Sequence, residues 1–115
     1  MLFRSAGATL LEEPDRACGI VEAVADAVDL PVSVKMRRGL QNGARTCLEI
    51  GPKLVDAGAA SLTLHPRSAR QMYTGEADHS LTAELVDLVA VPVIASGDIA
   101  QIGRASCRER VSIDV

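Results

Sequence analysis

Residues 61–80 read SLTLHPRSARQMYTGEADHS. The run opens as Ser61–His65, where Leu62 and Leu64 alternate with Thr63 and His65, the period-two pattern of a strand. It continues as a polar loop holding Arg67, Arg70, Gln71 and Tyr73, the one tyrosine of the chain. Two other stretches share this design. Upstream, DLPVSVKM sets Val32, Val34 and Met36 against Ser33 and Lys35, with Arg37 following. Downstream, VPVIAS (91–96) leads into Gly97 and Asp98. Strands therefore recur about every 30 residues, the length of a βα unit.

Helical patterns fill the intervals. Glu13-Pro14-Asp15 places acids and a proline where a first helical turn favours them, and Ile20, Val24 and Val28 follow on one helical face. After the loop RRGLQNG, Cys47, Ile50 and Leu54 return at helical spacing until Gly58, which suits a C-cap. Pro52 is expected to kink that helix, because it has no N–H and its ring meets the carbonyl four residues back. LTAELVDLV forms the third helix. Strand and helix alternate without hairpin turns, so the strands are parallel and joined by right-handed crossovers. The fold class is α/β. Three consecutive βα units make a slice of a (β/α)8 TIM barrel, since a closed barrel takes about 250 residues, or a small open sheet.

The chain has 115 residues, 48% of them hydrophobic, and a formal charge of −3. This is the composition of a globular domain, and it opposes general polyanion binding; any nucleic-acid contact has to come from a local group of cations. No apolar run is long enough for a membrane span and no signal-peptide succession opens the chain. A cytoplasmic setting without membrane contact is expected. Three cysteines at unrelated spacings give no metal or disulfide pattern, and Cys18 and Cys47 read as structural thiols inside helices. No metal is expected.

Parallel strands buried on both faces usually read as continuous Val, Ile and Leu. Here one face of each becomes polar toward its C-terminal end: Ser33, Lys35 and Arg37; Thr63, His65 and Arg67; Ser96 and Asp98. Ligands of α/β folds bind outside those ends, so the polar residues converge on the expected mouth. Lys35 is either a strand-end amine that snorkels or a ligand contact, and its alignment with Ser33 inside an apolar run favours the second. His65 is either a satisfied structural imidazole or functional. Ser96-Gly97-Asp98 is by itself only a turn whose glycine lets a ligand come close. His79 is expected to be solvated or capping, and Arg38 and Arg45 to be solvated surface charges.

Taken together, VKMRRG, LTLHPRSARQMYTGEADH and PVIASGDI resemble the tRNA-dihydrouridine synthase family in order and separation. His65, Arg67, Gln71, Tyr73, Gly75, Ala77 and Asp78 carry the central motif, and GATLLEEPD resembles the segment after that family's catalytic loop. The resemblance covers nearly all of residues 6–100. It implies an oxidoreductase with a (β/α)8 barrel, FMN at its mouth, NADPH as hydride donor and a uracil ring of tRNA as substrate. Carried over by motif, Lys35 and His65 are FMN contacts, as are Ser96, Gly97 and Asp98, which stand where the family has Asn-Gly-Asp. Ser96 in place of Asn puts its side-chain contact in doubt. Arg37, Arg67 and Arg70 are then candidates for RNA, while Tyr73 is expected to pack. The family's catalytic Cys falls upstream of this chain, so no catalytic residue is assigned and the chain alone is expected to be inactive, flavin-free and marginal in stability. Competing readings are another FMN- or phosphate-binding barrel oxidoreductase and an inert truncated reading frame.

The ends fit poorly with what lies between them. Leu2–Ser5 can be encoded by CTC TTC CGA TCT, whose reverse complement encodes the run from Gln101 through Arg104 into Ala105. Both ends resemble a translated sequencing adapter. Residues 1–5 and 101–115 are therefore expected to be non-native, and 6–100 to be a partial synthase-like barrel domain.

Overall fold

Val32–Arg37 (β1), Ala59–His65 (β2) and Val93–Ser96 (β3) lie side by side in one sheet, each parallel to the next. The structure is a computed structural model that describes residues 7–98 and 111–114. Pro14–Ala27 (α1) precedes β1, Thr46–Asp56 (α2) joins β1 to β2, and Ser80–Leu88 (α3) joins β2 to β3. A short 3₁₀ turn, Ala8–Glu12, leads into α1. The order β1-β2-β3 follows the chain, as consecutive units of a barrel wall require. A fourth strand, Val111–Asp114 (β4), pairs parallel with β3. The sequence reading has three strands; the fourth lies in the stretch expected to be non-native.

The alternation read from the sequence sorts the sheet into two faces. Met36, Leu62, Leu64 and Val93 are buried in one cluster with Cys47, Ile50 and Leu54 of α2 and Leu81, Leu85 and Val86 of α3, and Ala95 is buried as well. On the other face the register sets Lys35 beside Thr63 and Arg37 beside His65. Ser61 Oγ donates to Ser33 Oγ across the same face at 2.9 Å. The polar side chains are thus aligned by the pleat itself.

One expectation about the helices changes. α1 buries Ala17 and Val21, whereas Ile20 and Val24 are 47% and 43% exposed and Val28 lies at the C-cap. The apolar stripe is wider than one row, and the row with the smaller residue is the one that meets the core. α2 runs through Pro52 to Asp56 and still buries Gly51 and Leu54 on either side of it. The stop at Gly58 matches expectation: its φ of +125° suits glycine, and its N–H donates to Val55 O at 3.0 Å.

Candidate functional site

The loop after β2 is built mainly by its own polar groups. Ser68 and Gln71 satisfy each other: Ser68 N–H donates to Gln71 Oε1 at 2.9 Å, and Gln71 N–H donates to Ser68 Oγ at 3.0 Å. Ser68 Oγ also reaches Asn42 Oδ1 at 2.8 Å. This is the reciprocity of a capping box, and the S-x-x-Q spacing was its signal. Ala69 and Arg70 N–H donate to the carbonyls of Gly39 and Leu40, so the loop is laced to the one after β1. Arg37 adds a third tie, donating from Nη1 to Met72 O at 2.5 Å while its guanidinium lies 5.2 Å from the Tyr73 ring centroid.

Arg67 stands at the centre, 7% exposed. Its Nε donates to Thr74 O at 3.2 Å and its Nη2 to Gly75 O at 2.7 Å. Nη2 also lies 2.7 and 2.9 Å from the two Asp98 oxygens. Nη1 faces His65 Nε2 at 3.2 Å. Asp98, at φ +54°, accepts the Ala77 N–H as well, at 2.7 Å. One ion pair therefore ties the β3 exit to both ends of the β2–α3 loop. His79 completes the frame, its Nε2 donating to Gly97 O at 2.5 Å and its Nδ1 lying 3.0 Å from Thr82 Oγ1.

Lys35, Arg37, His65, Arg67, Tyr73 and Ser96–Asp98 line a cavity of about 1310 Å³, which continues past β1 into an apolar groove walled by Ile20, Val24 and Val34. Its polar arm is the chemically differentiated part. Among the described residues, no hydrogen bond or ion pair engages the exposed Lys35 amine, and His65 Nδ1 has no partner. Burial, then Arg37, Arg67 and Lys35, push the His65 imidazole below its ordinary value. The Ala77 N–H and then Arg67 hold the Asp98 carboxyl low, and the Ser80 hydroxyl does the same for Asp78. Burial pushes the Cys47 thiol up to about 11, so it is no nucleophile at neutral pH. Among the described residues, no three His, Cys, Asp or Glu gather where a metal ion could sit, and no helix is long and apolar enough to cross a membrane.

The shifts of His65, Asp78 and Asp98 share one sign. The unfolded chain takes up a proton on His65 before the folded chain does, so stability is lost as pH falls below about 6.5. Asp78 and Asp98 contribute stability above about pH 4 that disappears as pH falls through their lower folded values. Thermal melts are expected to fall monotonically between about pH 7 and pH 3. His65→Gln should remove the upper step and Asp98→Asn should shrink the lower one. A melting temperature that stays flat, or rises, on acidification contradicts the site.

A family model described as Dihydrouridine synthase (Dus) matches residues 3–111. The chain belongs to the dihydrouridine synthase family. Among curated relatives, "Probable tRNA-dihydrouridine synthase 1" of Synechocystis is 40% identical over 96% of the chain and 32% of its own length. A "Probable tRNA-dihydrouridine synthase" of Treponema pallidum is 45% identical over 82% of the chain and 30% of its own length. "tRNA-dihydrouridine synthase B" of Serratia marcescens is 39% identical over 82% and 28%. The chain thus spans about a third of the length of the relatives it matches.

Within this chain, the expected cofactor residues Lys35, His65, Ser96, Gly97 and Asp98 meet around one cavity. The expected RNA residues do not form a group. The Arg70 side chain is exposed and, among the described residues, bonds Gln41 Oε1 at 3.3 Å; Arg37 is half-buried under Tyr73; Arg67 faces inward. A phosphate contact from Arg67 does not match this placement, because the loop carbonyls, His65 and Asp98 engage its guanidinium. Tyr73 is 74% exposed, not packed away. Arg38 is not a solvated charge either: its side chain is 12% exposed, with Nε on Ala44 O at 2.7 Å and Nη1 3.9 Å from Asp78. Arg45 is exposed as expected, though paired with Glu84. Sequence reasoning missed His79 as the partner of Gly97, a contact that only the juxtaposition of β3 and α3 creates.

Proposed function

We propose that this chain supplies part of the flavin site of an oxidoreductase that reduces uridine in tRNA to dihydrouridine, in a cytoplasmic setting. The observation that carries this reading is the free Lys35 amine and the free His65 nitrogen beside Gly97, at the C-terminal ends of adjacent parallel strands. A cation, an imidazole and a glycine backbone suit an acceptor-rich ligand such as FMN. Lys35 would stabilise negative charge on the pyrimidine edge of the reduced ring, His65 would hold the ring's position, and Gly97 would let the backbone come close. Ser96 adds a hydroxyl, while Asp98 holds the turn through Arg67. FMN, reduced by NADPH, supplies the hydride when bound.

Support for tRNA as partner comes from the names of the relatives and from the exposed Arg70 and Tyr73 side chains on the loop after β2. A target base has to leave its stack to meet a flavin, and phosphate contacts position the RNA meanwhile. Arg70→Ala is expected to weaken tRNA binding and to lower the slope of log K against log salt by about 0.9, one phosphate's worth. An unchanged slope removes Arg70 from the RNA surface.

The reading is tested by exchange. Residues 7–98 replace the matching segment of a full-length tRNA-dihydrouridine synthase, and flavin content is read from absorbance after gel filtration. Stoichiometric FMN is expected; a folded but colourless protein overturns the flavin assignment. The adapter reading of residues 1–5 and 101–115 is a separate proposal resting on their inverted-repeat codons. Genomic DNA carrying a native frame through both ends would overturn it.

A further inference from the structure

Two histidines flank Gly97, and their surroundings demand opposite tautomers. A guanidinium has only donors, so Arg67 Nη1 at 3.2 Å requires a lone pair on His65 Nε2. A neutral His65 then carries its proton on Nδ1. The protonated ring would turn an N–H toward Arg67 and add charge near Lys35 and Arg37, with Asp98 already paired; the tilted Tyr73 ring, 6.1 Å away, offers no compensating anion. His79 is the reverse case. A carbonyl only accepts, so Nε2 carries the proton toward Gly97 O and Nδ1 is left to accept from the Thr82 hydroxyl.

The direction of the free nitrogen is also fixed. A Cβ on Gly97 would lie 2.6 Å from both Cδ2 and Nε2 of His65, so that ring edge rests directly on the Gly97 backbone. The Nδ1 edge turns the other way. Among the described residues every fully buried side-chain nitrogen and oxygen has a hydrogen-bond partner and His65 Nδ1 has none, so it reaches the cavity that His65 lines. Arg67 cannot swing aside, since Thr74 O, Gly75 O and Asp98 hold the rest of its guanidinium.

We infer that Arg67 is a positioning residue that locks His65 as its neutral Nδ1–H tautomer, giving the mouth one fixed hydrogen-bond donor. Its complement is an acceptor atom of the ligand: a carbonyl oxygen, a ring nitrogen lone pair or a phosphate oxygen. That this atom belongs to FMN rests on the reading above. The tautomer does not.

Because the chain has two histidines, the test is direct. The 115-residue chain is labelled with ring-¹⁵N histidine, and long-range proton–nitrogen spectra are recorded without flavin at slightly alkaline pH. One ring should show the Nδ1–H pattern and the other the Nε2–H pattern, with His65→Gln deleting the first. Arg67→Lys, whose ammonium also only donates, should keep the Nδ1–H pattern. Arg67→Met, which has no donor, should lose it, with the Nε2–H form that free imidazole prefers taking its place. Two Nε2–H rings in the unsubstituted chain overturn the inference. So does loss of the Nδ1–H pattern in a folded Arg67→Lys chain, or its persistence in a folded Arg67→Met chain. Failure of the segment exchange to bind FMN would leave this result untouched, so the two readings fail separately.

Discussion

Arg67→Ala is expected to destabilise the chain by about 2–4 kcal/mol, the range for breaking a buried hydrogen-bond and ion-pair network. The side chain is 8% exposed and serves the carbonyls of Thr74 and Gly75 together with the Asp98 carboxylate. Removing it strands all three and leaves His65 Nε2 without its donor. The estimate stays below that for a fully buried pair because Asp98 is 41% exposed and water can take over part of its solvation. Arg70→Ala, three residues on and exposed, should change stability by no more than about 0.5 kcal/mol. Denaturant midpoints of the two variants check the contrast. If Arg67→Ala proves as mild as Arg70→Ala, the inward placement is wrong and Arg67 returns to the RNA surface.

Lys35→Ala should separate binding from folding. Its amine bonds nothing among the described residues and its side chain is exposed on the polar face of β1, so the variant is expected to melt close to the parent. Flavin retention is a different matter. One charge-assisted hydrogen bond to a bound ring is worth ~1.5–3 kcal/mol, and ~1.4 kcal/mol is tenfold in affinity. In the segment-exchanged synthase, FMN affinity by flavin fluorescence should therefore drop roughly ten- to hundredfold, and reduction by NADPH should slow. Wild-type affinity and reduction rate would remove Lys35 from the cofactor site.

The parallel strands were legible because each alternates and each turns polar on one face toward its C-terminal end. Their ends were less so. β2 begins at Ala59, since Ala59 and Ala60 carry no strand pattern, and β3 begins at Val93, because Pro92 has no N–H to give and contributes only its carbonyl, to Leu62. The helical stripe of α1 was visible, but spacing does not say which of two overlapping rows meets the core, and the row with Ala17 and Val21 does. In the site, face and strand end pointed to Lys35 and His65 as ligand contacts, whereas Ser96–Asp98 read as only a turn until the family resemblance gave it a cofactor role. Arg67, an RNA candidate in the sequence, turns inward, which was not legible because its partner Asp98 is 31 residues away and brought near by the register of β2 and β3. Tyr73 was misjudged the other way, since the loop folds around Ser68 and Gln71 and leaves the ring outside. The polar string after β2 is therefore scaffold as much as mouth.

The central claim is that residues 7–98 form a working part of a uridine-reducing flavoprotein. The direct measurement is dihydrouridine formation in tRNA taken from cells lacking their own synthases, using the segment-exchanged enzyme with NADPH. Product is expected, and it should be lost or sharply reduced with Lys35→Ala. A folded, FMN-loaded exchange protein that forms no dihydrouridine would contradict the account.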